Sequence, residues 1–271
     1  MRPLCRTLPI HLATALTLLG WSVAAQALSL DELKKDGPYA ISAQSLPASG
    51  FGKGTLYSPN TPGKYALVAV CPGFVSAESS ITEISKRLAT HGFVVVTIGT
   101  KTLLDFPSSR ASQLLAALKA ASAVTTGPAA GKIDATRQVV AGWSMGGGGT
   151  LEAAAATPGL KAAVAYAPWN LSSTKYKAIR VPSAIIGGTA DTVASVASHA
   201  QPFYNAIPST TPKLLGVIQG ADHFFPNQVF EPASYTNIAW VKRFADGDTQ
   251  YGAFLRGQDA AWASFVSTGP F

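Results

Sequence analysis

Charge is scarce in this 271-residue chain. Asp, Glu, Lys and Arg make up 13% of it, against roughly 25% in an average globular domain. Serine, threonine, asparagine and glutamine must therefore keep much of the surface wet. The basic residues are scattered and form no block, which argues against nucleic acid as a partner. Cysteine is scarcer still, with only Cys5 and Cys71. Long apolar runs are missing beyond the N-terminus. No later segment approaches the ~20 apolar residues that a membrane-spanning helix needs, so no transmembrane segment is expected.

The N-terminus has its own pattern. Arg2 and Arg6 precede the apolar run HLATALTLLGWSVAA, which ends in the small-x-small triplet Ala25-Gln26-Ala27. That is the layout of a secretory signal peptide cleaved after Ala27, and the run is short for a membrane anchor. The expectation is a signal peptide over 1–27, a single domain over 28–271, and a secreted protein, extracellular or periplasmic in transit. Losing Arg2 and Arg6 lowers the formal charge from +7 to +5. This mild positive balance suits uncharged or acidic surfaces. Cys5 leaves too, so the mature chain holds Cys71 alone and no internal disulfide. Cys71 ends the apolar run YALVAVC and reads as a buried thiol packed as a small hydrophobe.

After residue 65 apolar runs alternate with helix-like segments. YALVAV, FVVVTIG, RQVVAGW, LKAAVAYAP, PSAIIGGTAD and PKLLGVIQGADH read as strands. SAESSITEISKRLATHG, SSRASQLLAALKAASAV and the last helical pattern, SYTNIAWVKRFADGD, read as helices. Residues 36–58 read as one or two antiparallel lead-in strands. This β–α repetition predicts an α/β fold, a mostly parallel sheet with helices on both faces.

The stretch AGWSMGGGGT, residues 141–150, carries the chemistry. Gly142-Trp143-Ser144-Met145-Gly146 fits G-x-S-x-G between a strand and a helix, the context in which the motif marks a nucleophile elbow. Glycine inside a helix costs roughly 0.5–1 kcal/mol relative to alanine, so four in a row need a reason. Gly146 belongs to the elbow. Gly147 to Gly149 are expected to let the helix pack tightly against neighbouring strands.

A serine nucleophile needs a base, and the base needs an orienting acid. In this fold they follow in the order Ser, acid, His. His11 leaves with the signal. His91 precedes Ser144 at a helix end, where a capping or surface role suits it. His199 lies inside the helical pattern SVASHAQPFYNAI, with a surface or partly buried structural role. His223 follows the strand LLGVIQG at its C-terminal end, the edge of open α/β sheets where ligands gather. Asp191 follows SAIIGGTA in the same way. Asp222 is the runner-up, because residues adjacent in sequence usually point apart. Glu152, about one turn or so into the elbow helix, faces solvent or packing. Ser144, Asp191 and His223 are thus the candidate triad. The oxyanion donors are the amides of Met145, next to the nucleophile, and of Phe74, in the loop CPGFVSAESS after an early strand. No metal or cofactor is called for.

These segments together resemble a known family. PGFVSAESSI, LATHGFVVVTIGT, PSSRASQ, GWSMGGGG, LKAAVAYAPW, DTVASVASHAQPFYNAI, GADHFFPN and IAWVKRFADGDTQY are similar, in order and over nearly the whole mature chain, to the bacterial cutinases and poly(ethylene terephthalate) hydrolases. The resemblance implies an α/β-hydrolase fold without a lid and a secreted serine esterase of polyesters. It implies the same triad and oxyanion donors, and an open cleft walled by Phe74 and Trp169. Val193 aligns with a cleft-lining aliphatic position, and Phe224 is a bulky cleft residue like that of the cutinases. The chain departs from the family in three ways. It cannot form the disulfide usual near the C-terminus, which implies a looser tail. It has Phe74 where tyrosine is common. It has Phe224 where the most efficient terephthalate-polyester enzymes can have a small residue. Without the family, NLSSTKYKAIR (170–180) is already short for a lid.

The expected partner is a polyester polymer or small ester, acted on by a monomer. A general short-chain carboxylesterase or lipase is the neighbouring alternative. A non-catalytic binding protein of the same fold typically lacks a triad member, and here all three are present in order.

Overall fold

A computed structural model describes Met1, residues 28–257 and residues 259–271. The expected signal peptide lies outside the described residues. The elements run in the order α1 (Leu30–Leu33), β1 (Ile41–Leu46), β2 (Lys53–Pro59), β3 (Tyr65–Cys71), α2 (Thr82–Thr90) and β4 (Val94–Gly99). They continue with α3 (Pro107–Ser122), β5 (Ile133–Trp143), α4 (Met145–Ala156), β6 (Ala162–Tyr166), β7 (Ser183–Gly188) and α5 (Gln201–Ala206). The last are β8 (Lys213–Ile218), α6 (Glu231–Phe244) and β9 (Trp262–Thr268).

The nine strands form one sheet in the order β1-β2-β4-β3-β5-β6-β7-β8-β9. From β4 to β8 neighbouring strands pair in parallel, and the pairs β1–β2, β2–β4 and β8–β9 are antiparallel. The parallel strands are covered on both faces, which is why they read as unbroken apolar runs. In β3, Ala66, Val68 and Val70 enter the core with Ile84 and Leu88 of α2 and Trp240 of α6. The alternate residues Leu67, Ala69 and Cys71 enter the opposite core with Leu114 of α3, Leu151 of α4 and Phe203 of α5. This two-sided arrangement is the α/β-hydrolase fold.

Several expectations change in detail. The helix expected over 76–92 divides into a 3₁₀ turn, Glu78–Ile81, and α2. Glu78 is turned inward, where its carboxylate accepts a 2.6 Å hydrogen bond from Thr97. The helical pattern around His199 is a π turn, Val196–Ala200, running into the short α5. Strand β9 was not expected. It is an edge strand with no continuous apolar run, and it pairs with β8 from Lys213 to Ile218. The tail, expected to be looser for want of a disulfide, is packed onto α6. Phe271 packs against Trp240 and Phe244, and Arg243 holds the Pro270 carbonyl through two nitrogens.

His91 caps the end of α2, as expected, but it is buried rather than on the surface. Its Nε2 donates to the Lys35 carbonyl at 3.0 Å. Burial pushes its pKa below the ordinary 6.5, and the nearby Arg87 and Lys242 push the same way, against the hydrogen bond to Lys35 and the pull of Asp36. A histidine that resists protonation when folded contributes stability that is full above its unfolded pKa and lost as pH falls below it. The melting temperature is therefore expected to decline as pH drops from 7 through 6 to 5, before most carboxylates titrate. His91→Gln, which can keep the donor to Lys35 without a titrating ring, should reduce that decline, leaving the share of His199, whose pKa burial also lowers. A wild-type melting temperature constant from pH 7 to pH 5 would contradict the assignment.

Candidate active site

The turn at Ser144 is strained. Its backbone lies at φ 56°, ψ −120°, directly between β5 and α4. A non-glycine residue rarely adopts positive φ, and such strain persists only where surroundings enforce it. The Ser144 amide donates to Tyr166 O on β6, and its carbonyl accepts from Gly148 and Trp169. Close packing enforces the turn further. A Cβ on Gly142 would lie 2.5 Å from the Gly146 backbone, and one on Gly146 would lie 2.3 Å from Cys71 O.

The rest of the glycine run matches the expectation only in part. Gly146 packs against the end of β3, and Gly147 lies against Gly142 O of β5 and Pro168, but Gly148 and Gly149 do not face strands. Gly148 abuts Trp169 O in the loop after β6. Gly149 abuts Pro107 and Arg110 of α3. The run lets α4 sink against two strand ends, a loop and a helix, and that packing offsets its weak helix propensity.

Ser144, His223 and Asp191 come from the ends of β5, β8 and β7, and the fold brings them together. His223 Nε2 lies 2.9 Å from Ser144 Oγ, and His223 Nδ1 lies 2.9 Å from Asp191 Oδ2. All three are buried. Asp191 Oδ1 accepts from the amides of Val193 at 2.9 Å and Ala194 at 2.7 Å. Burial alone would raise the Asp191 pKa. The hydrogen bonds from His223, Ala194 and Val193 outweigh it and hold the carboxyl below its ordinary value. Asp191 is therefore a carboxylate at neutral pH. Asp222 is exposed and accepts from the Phe224 amide instead. Glu152 is bound to Asn170 and Lys175, away from the serine.

The amides of Phe74 and Met145 donate to nothing among the described residues. Phe74 stands in the loop after β3, and Met145 opens α4, where the helix dipole favours negative charge. Gly73 lets that loop lie against the elbow, since a Cβ there would sit 3.1 Å from Ser144 Cβ and 3.0 Å from the Trp143 ring. Phe74, Val193 and Phe224 are 43%, 52% and 56% exposed. In the segment between β6 and β7, Tyr176 lies in a 3₁₀ turn and is buried against α4, with its hydroxyl donating to Gly148 O.

Three contributions were missed from sequence. Trp143 Nε1 donates to the His223 carbonyl at 2.8 Å, fixing the histidine loop to the elbow. His199 stacks on Trp169, with ring centres 6.1 Å apart and planes 27° apart. Phe106 approaches Trp169 at 6.4 Å. His199 stands four residues before Phe203, and only the fold reveals that it faces Trp169.

The chain matches a family model described as PET hydrolase-like over residues 28–269. It belongs to the PET hydrolase-like family. Among curated relatives of this family, it is 45% identical to "Cutinase est1" of Thermobifida alba over 224 residues, covering 82% of this chain and 75% of the relative. It is 46% identical to "Cutinase" of Thermobifida fusca (strain YX) over 222 residues, covering 81% and 73% of the two chains. It is also 45% identical to "Bis(hydroxyethyl) terephthalate hydrolase" of Streptomyces coelicolor over 226 residues, covering 81% and 71%. No helix among the described residues is long and apolar enough to cross a membrane.

Proposed function

We propose that this PET hydrolase-like chain is a secreted serine esterase that cleaves ester bonds in polyesters. One observation carries the reading: the continuous hydrogen-bonded line Asp191–His223–Ser144. The names of the relatives, cutinase and bis(hydroxyethyl) terephthalate hydrolase, support the substrate class. Secretion rests on the N-terminal pattern.

In this reading His223 Nε2 takes the proton as Ser144 Oγ attacks the ester carbonyl carbon. The carbonyl oxygen becomes an oxyanion, met by the amides of Met145 and Phe74. Collapse of the tetrahedral intermediate expels the alcohol, which takes its proton from His223. An acyl group remains on Ser144. Water then attacks the acyl carbon with His223 as base, and the acid and free serine are released. Asp191 holds Nδ1–H and stabilises the imidazolium at each transfer.

Trp169 and Phe74 supply flat apolar walls for the repeating unit beside the scissile ester. Trp169→Ala is expected to lose roughly tenfold in rate on polyester film, equivalent to about 1.4 kcal/mol. On p-nitrophenyl acetate or butyrate the loss should be much smaller, because the acyl group is too short to reach the wall. Chromatography of acid and alcohol products from aliphatic and terephthalate polyester films measures the first. Equal losses on film and soluble ester, with a lowered melting temperature, would make Trp169 structural. Soluble-ester turnover with no film products in the wild type would favour a short-chain esterase.

A further inference from the structure

Arg110 is fully buried in α3, yet it has no carboxylate partner among the ion pairs of the described residues. The nearby Asp105 carboxylate is turned to the Thr102 amide and to Gln113. Burying a guanidinium without a counter-ion is unfavourable, so the fold must use it. Its three nitrogens each hold a backbone carbonyl. Nε donates to Asp105 O at 2.6 Å, Nη1 to Pro72 O at 3.1 Å and Nη2 to Leu103 O at 3.1 Å.

Pro72 O lies two residues before the Phe74 amide. One residue after Phe74, the Val75 amide donates at 2.9 Å to Leu103 O, the carbonyl Arg110 also holds. Phe74 is thus suspended between two anchors that converge on one guanidinium. The loop needs them, because Val75, a β-branched residue, sits at φ 54°, a conformation such residues rarely adopt. The stem of Arg110 touches the other side of the site. A Cβ on Gly149 would lie 2.9 Å from Arg110 Cβ, so α4, which begins at Met145, rests directly on this residue.

We propose that Arg110 is a positioning residue for the oxyanion hole, setting the Phe74 amide through its guanidinium and the Met145 amide through its contact with Gly149. This rests on the acyl-transfer reading above. Lysine cannot replace it, since one ammonium on a flexible stem does not span three carbonyls in fixed directions. The last glycine of the run gains a second purpose here: it gives Arg110 room beside the nucleophile helix.

The test compares wild type, Arg110→Lys, Arg110→Gln and Ser144→Ala on p-nitrophenyl butyrate, well below each melting temperature. Affinity for butylboronic acid, which mimics the tetrahedral intermediate, is measured alongside. Arg110→Lys and Arg110→Gln are expected to lose about 10- to 100-fold in kcat, short of the 10²–10³ for deleting a donor outright. KM should stay within about threefold, and boronate affinity should fall in parallel with kcat. Wild-type kcat and boronate affinity in a folded Arg110→Lys, whatever its melting temperature, would overturn the proposal. If neither Arg110 variant folds, Gly149→Ala, which keeps the guanidinium but crowds its stem, decides by the same two readouts. Turnover by Ser144→Ala would instead defeat the acyl-transfer reading itself.

Discussion

Ser144→Ala is expected to remove essentially all ester hydrolysis, on the order of a million-fold in kcat, as loss of the nucleophile does where a triad acts as a unit. The change deletes one oxygen. It removes the 2.9 Å contact to His223 Nε2, a hydrogen bond worth about 1 kcal/mol net. Alanine keeps a Cβ, so the strained turn at φ 56° is neither relieved nor worsened. The melting temperature should therefore move little while activity disappears. His223→Ala is expected to match it closely, because without the base the Ser144 hydroxyl keeps its proton. Rates on p-nitrophenyl butyrate, with thermal melting in parallel, measure both. An active, folded Ser144→Ala protein would remove the basis for the proposed mechanism.

Asp191→Asn is expected to lower kcat about 10⁴-fold with little change in KM. Local hydrogen bonding dictates the outcome. The Val193 and Ala194 amides both donate to Oδ1, so the carbonyl oxygen of asparagine must take that position. The amide nitrogen then replaces Oδ2 and points its hydrogens at His223 Nδ1, 2.9 Å away in the native arrangement. A donor there forces Nδ1 to accept and places the imidazole proton on Nε2, facing Ser144. That tautomer cannot take the serine proton. Asp222→Asn is the control. Its Oδ1 accepts from Phe224 N in an exposed turn, and it should retain activity within about twofold. The two single variants, assayed side by side, discriminate between adjacent candidates for the acid. A large loss in Asp222→Asn with none in Asp191→Asn would reverse the assignment.

Much of this site is legible in the sequence because each of its catalytic groups follows a buried parallel strand. Such strands show as apolar runs, and the residue after each run sits at one sheet edge. Gly142 and Gly146 mark the elbow because no side chain fits where backbones approach this closely. What escaped is set by contacts between segments distant in sequence. Strand β9, WASFVST, has neither an unbroken apolar run nor a regular alternation and lies on an exposed edge, so its signal is weak. The glycine run was referred to strands, but its last member faces α3, a contact that only the packing of two helices creates. The motif leaves Trp143 as an unspecified position, whereas its indole N–H fastens the His223 loop. Arg110 sat unremarked in PSSRASQ, since nothing local says that its guanidinium is buried or that its acceptors are carbonyls of two other loops.

The central claim, that Ser144 attacks an ester and carries the acyl group, is tested most directly by trapping that bond. Wild-type protein and Ser144→Ala are each incubated with a fluorophosphonate, and intact mass, peptide mapping and residual activity are recorded over time. In the wild type, one phosphonyl adduct per chain is expected, located on Ser144 and accumulating in step with lost activity. Ser144→Ala should show none. Complete inactivation with the adduct on another residue, or full turnover by a protein stoichiometrically modified at Ser144, would contradict the account.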